Sequence, residues 1–260
     1  MNWTLHVGPA LATVFLWWGC TGVIAWLVGR PARHYPALLA AATLLAALSL
    51  LVLTQVRDAE QPENAWLAFL AALGLWSWIE ITFLTGRITG PLKTVRVAPP
   101  GASWRHARDA LAAILWHEFA IIAIVALAAL LTAGGDNLIG LFTLLLLWIM
   151  RSSAKLNLFL GVRNLGEVFL PPHLAHLLGY LRRRPMNALF PFSIALGAAL
   201  TALCITRVLD ADTAFETVGY SMLATLAALA LLEHLLMVLP LPAETLWRWS
   251  LRSSRPGDSR

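Results

Sequence analysis

The sequence predicts an all-α polytopic membrane protein, a bundle of about seven transmembrane helices forming one domain over residues 1–260. Three observations lead there. Hydrophobic residues fill 59% of the 260 positions and charged residues only 13%, with a mean hydropathy of +0.72, more apolar surface than a soluble domain of this size can bury. The apolar residues gather in seven runs, each near the roughly 20 residues that a helix needs to cross a bilayer. The charges lie between those runs, sorted by sign from one side to the other.

The first run, about 8–29, has no lysine or arginine before it, so "MNWTLHVGPALATVFLWWGC" is expected to be a retained helix rather than a cleaved signal peptide. The second, about 36–56, lies between Arg33 and Arg57. The third, about 65–86, stops before Arg87, and the fourth, about 109–133, begins after Arg108. The fifth, about 137–160, ends at Gly161. The sixth, about 188–208, follows the run Arg182, Arg183 and Arg184, and the seventh, about 216–240, closes near Leu241.

Counting alternate connections, one side holds Arg30, Arg33, Arg87, Lys93, Arg96, Arg105, Arg108, Arg163, Arg182, Arg183, Arg184, Arg248, Arg252, Arg255 and Arg260, fifteen of the nineteen lysines and arginines. The other side holds Arg57 and Arg207 beside the acidic stretches "RDAEQPEN" and "LDADTAFE". The positive-inside rule then predicts an N-terminus outside and a C-terminus in the cytoplasm. Topology also accounts for the net charge of +5, so no nucleic-acid partner is expected; the bilayer is. The segment "PPHLAHLLGYLRRR", 171–184, predicts a short interfacial helix with leucines toward lipid and arginines toward anionic headgroups. His173 and His176 on it are expected to be solvated. Cys20 and Cys204 sit in apolar runs and are expected to pack.

Two basic residues, Arg151 and Lys155, fall inside the fifth span. Depth arithmetic at 1.5 Å per residue brings other polar groups to the same level. Glu80 lies about 10 Å from the basic end of its span, His117 and Glu118 about 13 to 15 Å, and Glu233 and His234 about 10 to 12 Å. Arg151, Lys155 and Asn157 lie within about 15 Å of the same face, with Arg163 and Asn164 just below. A charge at the bilayer centre costs about 2.5–3.5 kcal/mol on the insertion scale, so such residues are expected to meet partners inside the bundle.

That layer admits three readings. An ion-pair network would tie Glu80, Glu118 and Glu233 to Arg151, Lys155 and the histidines. A metal site would gather Glu80, His117, Glu118, Glu233 and His234, the ligand types of iron, manganese or zinc; an intramembrane oxidoreductase or hydratase acting on a tetrapyrrole or isoprenoid would follow. A tetrapyrrole site would use His117 or His234 as axial ligand and Trp116 as a wall; twelve tryptophans against three tyrosines suit interfaces and large flat pigments alike. No phosphate-cradling glycine loop, nucleophile elbow, HExxH motif or repeated half is present.

Five stretches together resemble the PuhE family: "FLTGRITGP" (83–91), "ILWHEFAI" (114–121), "SAKLNLFLGVRNLGEVFLPPHLAHL" (153–177), "RRRPMNALFPFS" (182–193) and "LLEHLLMVLPLP" (231–242). The order of lysine, asparagine, arginine and paired prolines across 153–193 is the most specific of these, because membrane burial does not dictate it. The resemblance implies a chaperone-like factor in the assembly of bacterial photosynthetic complexes, multi-pass in the bacterial cytoplasmic (inner or intracytoplasmic) membrane, so that the outside N-terminus would be periplasmic. It would have reaction-centre or light-harvesting subunits as partners, and bacteriochlorophyll as the pigment it binds or hands over. It carries no catalytic residues with it.

Overall fold

A computed structural model describes residues 3–94 and 104–251. Among the described residues seven helices are long and apolar enough to cross a membrane, and the chain is a multi-pass membrane protein. After a π-helical turn at Trp3–Val7 come α1 (Gly8–Val28), α2 (Tyr35–Val56), α3 (Pro62–Leu84), α4 (Trp104–Leu131), α5 (Ile139–Leu160), α6 (Phe190–Leu209), α7 (Ala214–Val238) and a short α8 (Arg248–Leu251). Four spans open with proline in the first turn, at Pro9, Pro36, Pro62 and Pro191, where the missing N–H would have had no helical partner anyway. α7 opens instead on a capping box, with the Thr213 hydroxyl accepting from the Glu216 N–H and the Glu216 carboxylate accepting from the Thr213 N–H.

α3 is the hub. It packs against α2, α5 and α7, and Ala65, Ala68, Phe69, Ala72, Leu75 and Ile79 along it are fully buried. Helices in lipid gain little from apolar burial against one another, so close contact through small side chains holds them together. Gly140 of α5 lies against Leu53 and the Ala68 carbonyl, and Gly219 of α7 lies against Ile139. A β-carbon at either place would push the helices apart. α6 packs almost wholly on α7 and touches α5 only sparingly, which leaves a gap between α5 and α6.

At the end where α2 and α5 meet, Asn137 stitches two connections together. Its amide donates to the Asn64 carbonyl at 3.0 Å, its backbone N–H donates to the Arg57 carbonyl at 2.8 Å, and its Oδ1 accepts from the Ile139 N–H. The opposite, basic end is more elaborate. Thr85–Thr94 tucks beneath the bundle: Arg87 and Ile88 donate to the Thr82 carbonyl, and Thr89 accepts the His117 backbone N–H at 2.9 Å. Gly90 lies directly on the backbone of Ala112 and Ala113, an approach only a residue without a β-carbon permits.

The predicted interfacial helix is a 3-10 helix, Pro172–Tyr180, followed by extended chain whose Arg183 bridges Val162. Its leucines do not face lipid as expected. Leu174, Leu177 and Tyr180 are buried against Phe83 and Ala113, because the mouth between α3 and α4 offers an apolar seat. His173 is exposed, as expected, although its Nε2 pairs with the Leu84 carbonyl at 2.9 Å; His176 differs, its Nε2 being buried with no hydrogen-bond partner among the described residues. Burial, opposed in part by a backbone hydrogen bond to His173, holds the His176 imidazole below its ordinary range. Beyond α7, a 3-10 turn (Ala243–Trp247) and α8 fold back along α1, where the Trp247 indole donates to the Trp18 carbonyl and the Trp18 indole to the Leu246 carbonyl.

Candidate functional site

The polar residues of the spans meet in separate pairs. Glu80 on α3 accepts from the Arg151 guanidinium on α5 at 3.3 Å. Glu118 on α4 accepts from the Lys155 ammonium on α5 at 2.6 Å. One turn separates Arg151 from Lys155, so a single face of α5 serves both carboxylates. The pairs differ in enclosure: the side chains of Lys155 and Glu118 are 21% and 19% accessible, whereas that of Arg151 keeps 42%. A guanidinium carries five N–H donors, and among the described residues Arg151 uses one of them, toward Glu80.

Glu233 takes neither cation. It accepts the Trp17 indole N–H of α1 at 2.6 Å, and its side chain remains exposed. No ionisable group of α1 lies at this depth, so its contribution was invisible to a search among charged residues. The available signal was a tryptophan within a span, whose indole N–H needs a partner when withdrawn from water. Trp17 also meets Trp247 edge-on at 5.2 Å, and Trp247 meets Phe169 at 5.6 Å.

The histidines behave differently from each other. His234 is held at both nitrogens, by the Ala230 carbonyl at 2.9 Å and the Ser153 hydroxyl at 3.0 Å. His117 is 1% exposed, its Nδ1 has no hydrogen-bond partner among the described residues, and its ring lies 4.3 Å from that of Phe83. An orphaned buried polar atom costs about 1–3 kcal/mol. His117→Leu, nearly matched in volume, is therefore expected to keep or raise the thermal midpoint in detergent; a fall of several degrees would mean that Nδ1 has a bound partner such as water.

Trp116 points outward, 51% exposed, its ring tilted against that of Phe119 at 6.0 Å. Among the described residues no three His, Cys, Asp or Glu side chains come together as a metal-donor set. Asn157 joins a second network. Its amide donates to the Ser153 carbonyl and the Ser193 hydroxyl, and it receives Asn187. Asn164 ties the chain after α5 to the end of α7 through the carbonyls of Leu236 and Leu239, at 2.7 and 2.6 Å. Arg163 takes part through its backbone carbonyl, which accepts from Arg183 at 3.3 Å.

Asn187 was not anticipated from sequence. Its amide reaches the Asn157 carbonyl and side chain and the Gly161 carbonyl, while its Oδ1 accepts the N–H groups of Leu189 and Phe190 at the start of α6. The legible signal was an asparagine shortly before "FPF", the pattern of a helix start. On the far side of Glu118, a cleft of about 530 Å³ opens between α5 and α6, lined by Trp148, Ser152, Leu156 and Phe192 among others.

Comparison with known proteins fits this geometry to a family. The profile of a family described as a protein of unknown function, DUF3623, matches residues 4–258. The chain belongs to the DUF3623 family. A relative from Rhodobacter capsulatus, named "Uncharacterized 30.4 kDa protein in puhA 5'region", is 40% identical over 251 residues, covering 94% of this chain and 90% of its own length. No solved structure matches. DUF3623 membership thus extends over all seven spans and the whole polar layer.

Proposed function

We propose that this DUF3623 protein is a membrane assembly factor for bacterial photosynthetic complexes, acting beside reaction-centre or light-harvesting subunits during their construction. One observation carries the reading: a relative alike over nearly the full chain is named for the region 5' of puhA, the same puh designation as the PuhE family that the motifs at 83–91, 114–121 and 153–193 resemble. In this reading the N-terminus is periplasmic, and the basic loops lie in the cytoplasm, where partners are synthesised.

The geometry supports a binding role better than a metal-dependent reaction. A metal centre needs the carboxylates and a histidine to converge, and separate partners hold Glu80, Glu118 and Glu233 apart. Arg151, by contrast, keeps 42% of its side chain accessible at the layer. Intramembrane charge with unused donors is a place for a partner's polar group. If bacteriochlorophyll is handed over, His117 is, of the two histidines in the layer, the one with a ring nitrogen that meets no partner among the described residues, whereas both nitrogens of His234 are occupied.

The test is a clean deletion in a phototrophic host, with reaction-centre and light-harvesting absorbance followed during growth. Assembled complexes are expected to fall while their transcripts hold steady, and a tagged copy is expected to restore them and co-purify with their subunits. Normal complexes in the deletion strain would sink the reading. A bacteriochlorophyll spectrum on the tagged protein, lost in His117→Leu, would extend it to pigment handling.

A further inference from the structure

We propose that the cleft between α5 and α6 is a binding site for a long-chain alcohol of the membrane, its chain lying along the two helices and its hydroxyl donating to Glu118. This does not rest on the assembly role.

The cleft exists because α6 is held elsewhere. Along its length α6 packs on α7, and near its start the Asn157–Asn187–Ser193 network pins it to α5. Beyond that pin the two helices part. The gap, about 530 Å³, lies within the range of small-molecule sites, about 300–1,000 Å³. Its wall is apolar and open to the side: Leu156, Phe192 and Leu196 are 54%, 72% and 42% exposed, with Trp148 also lining it. These residues belong to membrane spans, so what enters comes from the bilayer.

The polar groups of the cleft decide what the occupant carries. Glu118 lines it; one of its oxygens holds Lys155, and the other has no hydrogen-bond partner among the described residues. Ser152 lines it too. Most hydroxyls on these spans, such as Thr143 and Ser77, donate to the carbonyl four residues back; Ser152 has no hydrogen-bond partner among the described residues. Unsatisfied polar atoms at hydrocarbon depth cost free energy that water cannot relieve there. An acceptor and a hydroxyl lining the same cleft suit one O–H group, which donates to Glu118 and accepts from Ser152.

Charge narrows the class further. The lining contains one carboxylate and no cation, and the cation that meets that carboxylate, Lys155, is already bound by it at 2.6 Å. A phosphate head would face Glu118 without a counter-charge. An ammonium head would compete with Lys155 for a carboxylate already neutralised. An uncharged donor on an apolar chain meets neither objection.

The experiment uses the purified full-length protein in nanodiscs of neutral lipid, photolabelled with a diazirine-bearing hexadecanol and mapped by peptide mass spectrometry. Adducts are expected on the α5 and α6 segments around Leu156 and Phe192. Unlabelled hexadecanol should compete, and hexadecane and hexadecyl phosphate should not. Geranylgeraniol competing more strongly than hexadecanol would mark a branched prenyl alcohol as the source, and the reverse order a fatty alcohol; both support the site. Ser152→Ala should weaken labelling roughly fivefold, the loss of one hydrogen bond. Leu196→Trp, which fills the opening without touching a polar group, should remove labelling, while Leu130→Trp on the outer face of α4 should leave it intact. Equal labelling of all lipid-facing helices, competition by hexadecane equal to the alcohol, preference for the phosphate, or full labelling in a folded Leu196→Trp protein would each overturn the proposal.

Discussion

Glu118→Leu is expected to destabilise the solubilised protein by about 3–5 kcal/mol, the cost of breaking an enclosed ion pair by removing one partner. The double variant Glu118→Leu, Lys155→Leu should be clearly more stable than Glu118→Leu alone. The reasoning runs through the cation left behind. Lys155 is 21% accessible and its ammonium meets Glu118 at 2.6 Å, so without the carboxylate it must either hold its charge at membrane depth or lose its proton. Removing both charges removes that penalty and lets two leucines pack where two desolvated groups stood. Unfolding followed by tryptophan fluorescence during a denaturing-detergent titration would give both values. Additive losses would show that the two residues do not act as a pair.

The same cycle at Glu80 and Arg151 should give a smaller coupling. Arg151 is 42% accessible in its side chain and bonds Glu80 at 3.3 Å, so solvent or a ligand can stand in for the missing carboxylate. The contrast between the two pairs separates a structural tie from a site left open for binding.

Depth and azimuth were not equally legible in the sequence. The spans were readable because an apolar run of fixed length leaves little choice: about 36–56 is Tyr35–Val56, about 137–160 is Ile139–Leu160, and about 216–240 is Ala214–Val238. α4 begins earlier than expected, at Trp104, since a helix that extends past the membrane leaves no hydropathy signal. Counting residues from the span ends also placed Glu80, Glu118, Arg151 and Lys155 at one level. Which side chain faces which was not readable, because rotation about a helix axis depends on the order of neighbours. Glu233 accordingly turns to Trp17 of α1 rather than to Arg151. The fold-back of Ala243–Leu251 onto α1 was missed for another reason: it is built from a single 3-10 turn and a four-residue helix, held by indole-to-carbonyl bonds that have no periodicity to detect.

Asn187→Leu is expected to cost about 3 kcal/mol or more, since several partners lose a hydrogen bond at once and each is worth about 0.5–1.5 kcal/mol. The amide of Asn187 donates to the Asn157 side chain at 3.0 Å and to the Gly161 carbonyl at 2.9 Å, and its oxygen caps α6 through the Leu189 N–H at 2.9 Å. Asn157 is fully buried and Asn187 is 8% exposed, so water cannot readily replace what is removed. Asn187→Asp keeps the cap on α6 and loses only the donations, and it should fall between wild type and leucine. The two variants also separate stability from shape. If the network is what pins the start of α6 to α5, leucine will loosen α6 before the bundle melts, and hydrogen exchange will rise in Phe190–Gly197 ahead of α7. Uniform loss of protection across α6 and α7 would mean that α6 is fixed by its packing on α7 and that Asn187 only caps it.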